Sequence, residues 1–275
     1  MNSDLTVIII SFNSAEIITR CQSELLTSEK YPILIIDNAS PDESAARLGA
    51  KFPSVEIVRL EKNRGYGRAA NAGLCLTTTP YALLLNPDLT VTTNEIDALL
   101  RHTKTSTENT AVWGPATREQ DFTAGPPQNV SWVSGSAMLF DVKKIKDLGL
   151  FDENIFLFSE ETDLCQRAIN AGHSIQFCPD VFFDHLLGQS SSPTPEIDYM
   201  KWWHFGWSQC YRMTKHGQCT LWENPLRKHL CYSLHSLLAI SPTRRKKWRA
   251  KADGSLDFSR GEKAFTPNDT PQMSR

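Results

Sequence analysis

Residues 5–41 read LTVIIISFNSAEIITRCQSELLTSEKYPILIIDNASP, and this stretch decides the fold class. It contains two continuous apolar runs, LTVIII at 5–10 and ILII at 33–36, and each run ends in polar residues. Such runs are typical of parallel strands that are buried on both faces of a sheet. The segment 15–28 between them is long enough for the helix that joins two parallel strands. We therefore predict a β-α-β unit.

The same alternation continues along the chain. Strand-like segments at 55–60 and 81–85 are accompanied by a helix at 42–51 and by NRGYGRAANAG (63–73), a loop that opens another helix. Strands alternating with helices predict an α/β fold with a doubly wound, mostly parallel sheet. The later expectations, in chain order, are a helix at 95–104, a mobile loop at 114–131, a strand at 132–140, a helix at 141–149, a helix from Glu160 to Gly172, strands within 174–185, and helices at 197–216 and 224–240.

Polar residues follow three of the predicted strands: Asn13, Asp37 and Asp88. In open α/β sheets, ligands bind at the carboxyl ends of the strands. Asp37 could accept hydrogen bonds from a base or a ribose. Asp88 could hold a divalent cation, because hard cations prefer oxygen ligands. Both could equally be turn residues, since Asp-Asn and Pro-Asp are common in turns.

The segment Gly65-x-Gly67-x-x-Ala70 matches a relaxed dinucleotide-binding fingerprint, which would indicate a dehydrogenase. That fingerprint normally opens the first β-α-β unit, however, and here it falls in the third. The glycines fit better a backbone that approaches a nucleotide or forms a tight turn. The sequence has no GxSxG, HExxH or Walker A pattern, which argues against a serine hydrolase, a zincin and a P-loop protein.

Glu160, Glu161 and Asp163 open a predicted helix directly after the apolar IFLF at 155–158. Acids favour a helix N-terminus because of the helix dipole. A partly buried carboxylate could instead have a raised pKa and act as a general base. His185 could be structural, or it could join Asp88 in holding Mn²⁺ or Mg²⁺ that is bound mostly by a substrate diphosphate.

Seven motifs in one order resemble the family 2 glycosyltransferases, above all the rhamnosyltransferase-like branch of bacterial surface polysaccharide biosynthesis. They are VIIISFNS, IIDNASPD, NRGYGRAANAG, LLLNPD, WVSGSAMLF, GLFDENIFLFSEETDLCQRAINAG and DHLLGQSS. The resemblance covers residues 5–192 and continues weakly through KHG at 215–217. It implies a GT-A fold, in which a Rossmann-like sheet is flanked by helices. It also implies an inverting transfer of a sugar from a dTDP- or UDP-sugar donor to a hydroxyl of a glycan acceptor, which we expect to be lipid-linked.

The resemblance also implies roles for individual residues. It places eight residues around the nucleotide, with Asp37 binding the nucleobase: Ser11, Phe12, Asn13, Asp37, Asn63, Gly65, Asn71 and Asn86. It assigns the divalent cation to Asp88 and His185, and the acceptor side to Trp132, Gly135 and Ser136. Glu161 would be the general base, although the family usually has Asp there. Glu160 and Asp163 are the alternative or helper acids.

The sequence also predicts a domain organisation. We expect a catalytic domain at 1–217, with a nucleotide-sugar half at about 1–105 and an acceptor half at about 106–217. An amphipathic basic helical extension would follow at 218–252, and a disordered tail at 253–275. Two other functions remain open: a nucleotide-sugar-binding protein that has lost catalysis, and a sugar-nucleotide nucleotidyltransferase.

Charge is distributed unevenly along the chain. Residues 1–223 hold 18 Lys and Arg against 27 Asp and Glu, whereas residues 224–252 hold 8 basic residues and no acid. Leucines at helical spacing (226, 230, 234, 237 and 238) precede the basic run at 244–249. This pattern fits attachment to an anionic membrane surface, or a helix that covers the domain and ends in a solvated basic tail. The aromatic residues of 199–211 could pack in a core, stack on an acceptor sugar or lie at a membrane interface.

Composition limits the compartment and the partners. A net charge of -2 argues against a nucleic-acid binder. The seven scattered cysteines form no CxxC, which favours a reduced, cytoplasmic compartment. No apolar run reaches the 18 or so residues of a membrane span. We therefore expect a cytoplasmic protein that is at most peripheral on the inner face of the plasma membrane.

Overall fold

The computed structural model describes residues 4–106, 108–186, 194–221 and 223–272. By its contacts the chain divides into two compact units. The sheet unit comprises the described residues of Met1–Asp152 and Glu161–Ser192, and the helical unit comprises those of Glu153–Glu160 and Pro193–Arg275. The part of the predicted DHLLGQSS motif that follows Leu186 lies outside the described residues.

The strands are β1 Leu5–Ser11, β2 Ile33–Asp37, β3 Glu56–Arg59, β4 Tyr81–Leu85, β5 Leu89–Thr90, β6 Thr110–Ala116, β7 Gln128–Asn129, β8 Ala137–Asp141, β9 Ser174–Phe182 and β10 Asp184–His185. The α-helices are α1 Ala15–Thr27, α2 Ser44–Lys51, α3 Tyr66–Leu76, α4 Thr93–Thr105, α5 Val142–Asp147, α6 Glu160–Asn170, α7 Pro195–Lys215, α8 Pro225–Leu238 and α9 Pro242–Ser259. A short 3₁₀ turn spans Glu119–Asp121.

The main sheet has the strand order β3-β2-β1-β4-β8-β6-β9-β7. Strand β1 pairs in parallel with β2 and β4, and β2 pairs in parallel with β3. Strand β8 runs antiparallel between β4 and β6, and β6 pairs in parallel with β9. The predicted α/β fold with a mostly parallel sheet is confirmed.

Strand β1 shows why the opening sequence is continuously apolar. All seven of its residues are buried. Val7 and Ile9 belong to one hydrophobic cluster and Ile8 and Ile10 to the other, as expected when successive side chains point to opposite faces of a sheet. Each fully buried aliphatic side chain stabilises the fold by roughly 1.5–3 kcal/mol. The strand therefore fixes the centre of the sheet from both sides.

Two elements differ from the sequence-based expectation. Strand β6 lies partly within 114–131, which we expected to be a mobile loop, and the strand expected at 132–140 begins only at Ala137. Gly114, the first residue of the expected loop, does not mark a loop. It marks close packing instead, because a Cβ there would lie 2.4 Å from Cβ of Val133.

In the helical unit, α7 and α9 cross at two glycines. A Cβ on Gly254 would lie 2.0 Å from the carbonyl oxygen of Trp203, and a Cβ on Gly206 would lie 2.2 Å from that of Lys251. Only glycine permits this close approach of two helix backbones. Trp203 and Trp207 are 1% and 4% exposed, so these two aromatic residues pack in the core of the unit. None of the described helices is long and apolar enough to cross a bilayer.

The disordered tail expected from residue 253 is wrong for the described residues. Helix α9 continues to Ser259, and Phe265 then forms a β-bridge with Pro271. The buried residues of α9 include Ala250, Ala252 and Ser255. Because the helix packs through such small residues, it lacks the apolar spacing that identifies an amphipathic helix.

Candidate active site

Strands β1 and β2 end side by side, with Ser11 in register with Asp37. Two residues further along each chain segment, Asn13 and Ala39 have left-handed backbones, with φ of 53° and 59°. Asn adopts this conformation readily, and Ala only rarely. Both segments therefore turn sharply at the carboxyl edge of the sheet, where ligands bind in α/β folds.

The Asp37 carboxylate is fully buried and held in one orientation. It accepts hydrogen bonds from the backbone N–H (3.1 Å) and the hydroxyl of Ser40. Nε of Arg59 lies 3.7 Å from Oδ2 of Asp37. The Ser40 hydroxyl also accepts a hydrogen bond of 2.9 Å from the N–H of Asn13, which joins the two strand ends.

Two buried polar atoms at this edge have no hydrogen-bond partner within the described residues. They are the Ser11 hydroxyl and the side-chain oxygen of Asn13. An unsatisfied buried polar group costs about 1–3 kcal/mol, so such atoms are uncommon. Both belong to residues predicted to line the nucleotide pocket, and both can bond to a ligand. Phe12, which lies between them, is partly buried.

Asn38 organises the predicted nucleotide loop, and sequence reasoning missed it. Its Nδ2 donates to Oδ1 of Asn63 and to the carbonyl oxygen of Gly65, both at 3.1 Å. The N–H of Gly65 donates to the same Asn63 oxygen at 3.1 Å. Gly65 has φ 92°, which glycine adopts without strain. The available signal was an amide directly after Asp37, within a strand-end turn.

Asn71, predicted to contact the nucleotide, forms two hydrogen bonds to a distant backbone. Its Nδ2 donates to the carbonyl oxygen of Phe151 at 3.0 Å, and its Oδ1 accepts from the N–H of Phe151 at 2.9 Å. These two bonds occupy both ends of the amide, and the residue is only 6% exposed. The amide therefore ties α3 to the segment before α6.

Asp88 and His185 meet through a small antiparallel strand pair. His185 of β10 lies opposite Leu89 of β5, and the N–H of Leu186 donates to the carbonyl oxygen of Asp88 at 3.1 Å. Nε2 of His185 is 3.3 Å from Oδ1 of Asp88. The Asp88 residue is 1% exposed. Two residues that are distant in sequence are therefore neighbours at the edge of the sheet.

This pair of donors fits a divalent cation that takes its other ligands from substrate phosphates. Carboxylate oxygen and imidazole nitrogen are both accepted by first-row divalent ions. No group of three or more His, Cys, Asp or Glu side chains suited to a metal ion occurs in the part of the chain that the structure describes. Asp88 and His185 are therefore candidate ligands, and a cation bound to them would take its remaining ligands from the substrate.

Asn86 links the Asp88 turn to the strand predicted on the acceptor side. Its N–H donates to the carbonyl oxygen of Ser136 at 2.8 Å, and its carbonyl oxygen accepts from Nε2 of Gln22 at 2.9 Å. The hydroxyl of Ser136 lies 2.8 Å from that of Ser134. Sequence reasoning missed Gln22, which is buried on α1 with no motif around it.

Glu161 lies against the backbone of Gly135. A Cβ on Gly135 would be 3.4 Å from Cβ of Glu161 and 3.7 Å from its carboxyl carbon. The Tyr66 hydroxyl donates to the carbonyl oxygen of Gly135 at 2.9 Å. Tyr66 directly follows Gly65, so this hydrogen bond joins the predicted nucleotide loop to the segment before β8. Sequence reasoning assigned no role to Tyr66.

The other two acids of the cluster are more buried than Glu161. Asp163 is fully buried, and its Oδ2 accepts from Nε of Arg167 at 2.9 Å. The Arg167 guanidinium also donates to the carbonyl oxygen of Leu148 at 2.7 Å. Glu160 is 6% exposed. Asp163 therefore anchors α6, and Glu161 is the most accessible of the three carboxylates. Trp132, expected on the acceptor side, is 52% exposed.

A family model described as glycosyl transferase family 2 matches residues 6–165. This is more than half of the chain, and it includes every predicted site residue except His185. The chain belongs to glycosyl transferase family 2. It is a glycosyltransferase, and the resemblance of its motifs to the family is confirmed.

Two of the similar proteins are named as rhamnosyltransferases. An N-acetylglucosaminyl-diphospho-decaprenol L-rhamnosyltransferase of Mycobacterium tuberculosis is 22% identical over 304 residues, which cover 91% of this chain and 97% of the relative. A dTDP-rhamnosyl transferase of Shigella flexneri is 22% identical over 216 residues, which cover 70% of this chain and 72% of the relative.

The fold is similar to that of solved glycosyltransferases. The mannosyltransferase PcManGT of Pyrobaculum calidifontis, solved in complex with GDP-Man and Mn²⁺, superposes with a TM-score of 0.62 at 11% identity. The match covers 93% of this chain and 86% of that structure. The expected GT-A fold with a helical C-terminal region is confirmed.

Proposed function

We propose that this glycosyltransferase moves a sugar from a nucleoside-diphosphate donor to a hydroxyl of a glycan acceptor, with inversion at the anomeric carbon. The observation that carries the proposal is the placing of two carboxylates with different surroundings in the sheet unit. Asp88 lies beside the His185 imidazole, and Glu161 lies beside Gly135. An inverting displacement needs one group at the leaving diphosphate and a base at the attacking hydroxyl.

Glu161 is the proposed general base. Its carboxylate takes the proton of the acceptor hydroxyl while the new bond from that oxygen to the anomeric carbon forms. The bond from the same carbon to the donor's diphosphate breaks on the opposite face. Asp163 is a poor candidate for this role because its carboxylate is already bonded to Arg167. Glu161 faces a residue without a side chain, because a Cβ on Gly135 would lie 3.4 Å from its Cβ.

Asp88 and His185 are the proposed protein ligands of Mn²⁺ or Mg²⁺. A divalent cation there supplies charge stabilisation for the leaving diphosphate. Asp37 is the proposed partner of the nucleobase, since Ser40 fixes the direction of its carboxylate. The Ser11 hydroxyl and the Asn13 oxygen, which need partners, would bond to the nucleoside.

The relatives suggest the substrates. The Shigella relative is named for dTDP-rhamnose, and the mycobacterial relative for an acceptor linked through a diphosphate to decaprenol. We therefore propose a dTDP- or UDP-sugar donor and a lipid-linked oligosaccharide acceptor, in the assembly of a surface polysaccharide. The proposed domain organisation keeps the catalytic domain at 1–217, with a helical extension after it.

An anionic membrane surface is the proposed location of the acceptor. The leucines 226, 230, 234, 237 and 238 of α8 are 53–78% exposed, and Ile240 after them is 97% exposed. A hollow of about 440 Å³ at the turn between α8 and α9 is lined by Leu238, Ile240 and Arg244, among others. Apolar side chains beside clustered cations suit the interface of an anionic bilayer. We propose peripheral attachment on the cytoplasmic face.

A donor panel tests the proposed reaction. The protein is incubated with dTDP-rhamnose or UDP-hexoses, with Mn²⁺ or Mg²⁺, and with a lipid-linked glycan acceptor. Transfer from one of these donors should require the cation, and NMR of the product should show the anomeric configuration opposite to that of the donor. Retained configuration would contradict the in-line mechanism.

A further inference from the structure

Two lysines of α9, one helical turn apart, hold their ammonium groups against the same tryptophan. Nζ of Lys247 lies 3.7 Å from the ring centroid of Trp202, and Nζ of Lys251 lies 4.9 Å from it. Nζ of Lys251 is also 3.8 Å from the centroid of Phe205 and 4.8 Å from that of Trp248. Rings from α7 and α9 thus surround two neighbouring positive charges.

No carboxylate compensates this charge within the helical unit as described. Neither ammonium takes part in an ion pair among the described residues, and the neighbouring charge of Lys247 acts on Lys251. Burial first, and the Lys247 charge second, lower the pKa of Lys251 to about 8. The aromatic faces offset part of the repulsion between the two cations. An anion placed between the two ammonium groups would remove the rest.

The surroundings of the pair are apolar and aromatic. Phe158 stacks on Trp202, with ring centroids 6.0 Å apart and an angle of 11° between the planes. Phe205 meets both of these rings, at 5.4 Å from Phe158 and 5.9 Å from Trp202. Phe158 and Trp202 are each partly exposed, so this aromatic wall is accessible. A ligand that suits the cluster therefore combines a strong anion with an apolar or ring-shaped part.

Phe158, a member of the cluster, is close in the sequence to the proposed general base. It lies three residues before Glu161, the proposed base. Phe158 and Ser159 both have left-handed backbones, with φ of 67° and 69°. Two consecutive non-glycine residues in this conformation are rare, and such residues gather at functional sites.

We propose that Lys247 and Lys251, together with Trp202, Phe205 and Phe158, bind the diphosphate group of a lipid-linked acceptor. The two ammonium groups bond to phosphate oxygens, and the rings line the apolar chain or the first sugar. The assignment rests on the proposed function for the identity of the acceptor. It is independent of the donor site, whose residues all belong to the sheet unit.

A soluble probe tests the site without a membrane. Farnesyl diphosphate is titrated into the full chain and binding is followed by tryptophan fluorescence, because Trp202 and Trp248 border the lysines. Lys247→Gln should raise the Kd about tenfold, which is the effect of losing one charged contact of about 1.4 kcal/mol. Lys247→Arg should restore binding to within about threefold. Lys246→Gln, an exposed neighbour in the same basic run, is the matched control and should bind as the natural chain does.

Several results would overturn the proposal. Equal binding of farnesol would show an apolar site without phosphate recognition. If phosphatidylglycerol vesicles displaced farnesyl diphosphate as well as unlabelled prenyl diphosphate does, the site would be one for phospholipid headgroups. An unchanged Kd for Lys247→Gln would exclude the lysine pair.

The donor reaction separates this proposal from the proposed function. The natural chain is assayed for release of nucleoside diphosphate from sugar donors without any acceptor. Release together with no prenyl diphosphate binding would sink the lysine site alone. Lysine-dependent binding without turnover of any donor, even when acceptor is added, would sink the proposed function and leave the diphosphate site.

Discussion

The sheet unit and the helical unit differ in what they leave exposed. Among the described residues of the sheet unit, four large apolar side chains are exposed: Leu76, Phe122, Trp132 and Ile169. The described part of the smaller helical unit exposes seven, all within 20 residues of one another: Leu221, Leu226, Leu230, Leu234, Leu237, Leu238 and Ile240. Scattered apolar residues are normal on a protein surface, whereas a contiguous patch marks an interaction site.

The two units also differ in how their polar groups are placed. The sheet unit buries Ser11, Asp37 and Asp88 at one edge of its sheet, where backbone turns fix their positions. The helical unit carries its lysines on α9, among aromatic rings. We propose that the sheet unit holds a small, highly charged molecule and that the helical unit binds an extended, amphiphilic partner.

The largest effect is expected at the proposed cation pair. Asp88→Asn should lower sugar transfer by about 10³-fold or more, because the leaving diphosphate loses its charge stabilisation. Transfer rates at saturating donor measure the effect. Asp121→Asn, which changes an exposed carboxylate of the same unit, is the matched control and should be active. Comparable rates for the two variants would disprove the assignment of Asp88.

The leucine face of α8 should give the next largest effect. The double substitution Leu230→Glu with Leu234→Glu should weaken binding to anionic vesicles by about 100-fold, since two apolar side chains of about 1.5 kcal/mol each no longer enter the interface. Vesicle co-sedimentation measures it. Leu76→Glu, at 52% exposure in the sheet unit, is the control. If the double variant sediments with vesicles as the natural chain does, the leucines of α8 do not bind the membrane. A change of oligomeric state without a loss of vesicle binding would show that they pack against another copy of the chain.

The crossing of α7 and α9 should be sensitive to a single methyl group. Gly254→Ala should lower the free energy of unfolding by about 2 kcal/mol or more, because its Cβ meets the Trp203 carbonyl oxygen. Urea unfolding measures the loss. Gly49→Ala is the control in the sheet unit, since its Cβ would lie 3.6 Å from Ile57 and alanine favours a helix. Equal stability of the two variants would mean that the helices do not cross at these glycines.

A further effect concerns acid stability. Burial lowers the pKa of His204 to about 3. The unfolded chain binds this proton near pH 6.5, so stability is complete above pH 6.5 and falls as the pH drops toward 3, by about 1.4 kcal/mol per pH unit at most. His204→Phe should flatten this dependence in urea unfolding at pH 4 and pH 7. His235→Phe, an exposed histidine, should leave the slope unchanged, and an equal slope in all three proteins would refute the assignment.

Much of the sheet unit could be predicted from sequence, because the same short segments form its strands and carry its candidate site residues. Strands such as β1 are read from continuous apolar runs, and the residues at their ends follow from topology. The pairing of His185 with Asp88 was one of two alternatives open from the residues, because it depends on two strands of two residues each. Asn71 and Tyr66 form hydrogen bonds to distant backbone atoms, and no local sequence pattern encodes such bonds.

The helical unit was harder to predict for a physical reason. The aromatic stripe of α7 and the leucine stripe of α8 have helical spacing and were recognised. Helix α9 packs through Gly254, Ala250 and other small residues, so its pattern resembles that of a polar, unstructured segment. The aromatic surroundings of Lys251 arise from three helices together and have no signature in any one of them.

The central claim is that Glu161 is the base and that Asp163 supports the helix. The most direct test compares sugar transfer and donor affinity in Glu161→Gln and Asp163→Asn. Glu161→Gln should lower the transfer rate by about 10²–10⁴-fold while the Kd for the nucleotide sugar stays within about twofold. Asp163→Asn should lower the unfolding free energy and retain transfer in the folded fraction. Transfer at the natural rate in Glu161→Gln, or its loss in a fully folded Asp163→Asn, would contradict the account.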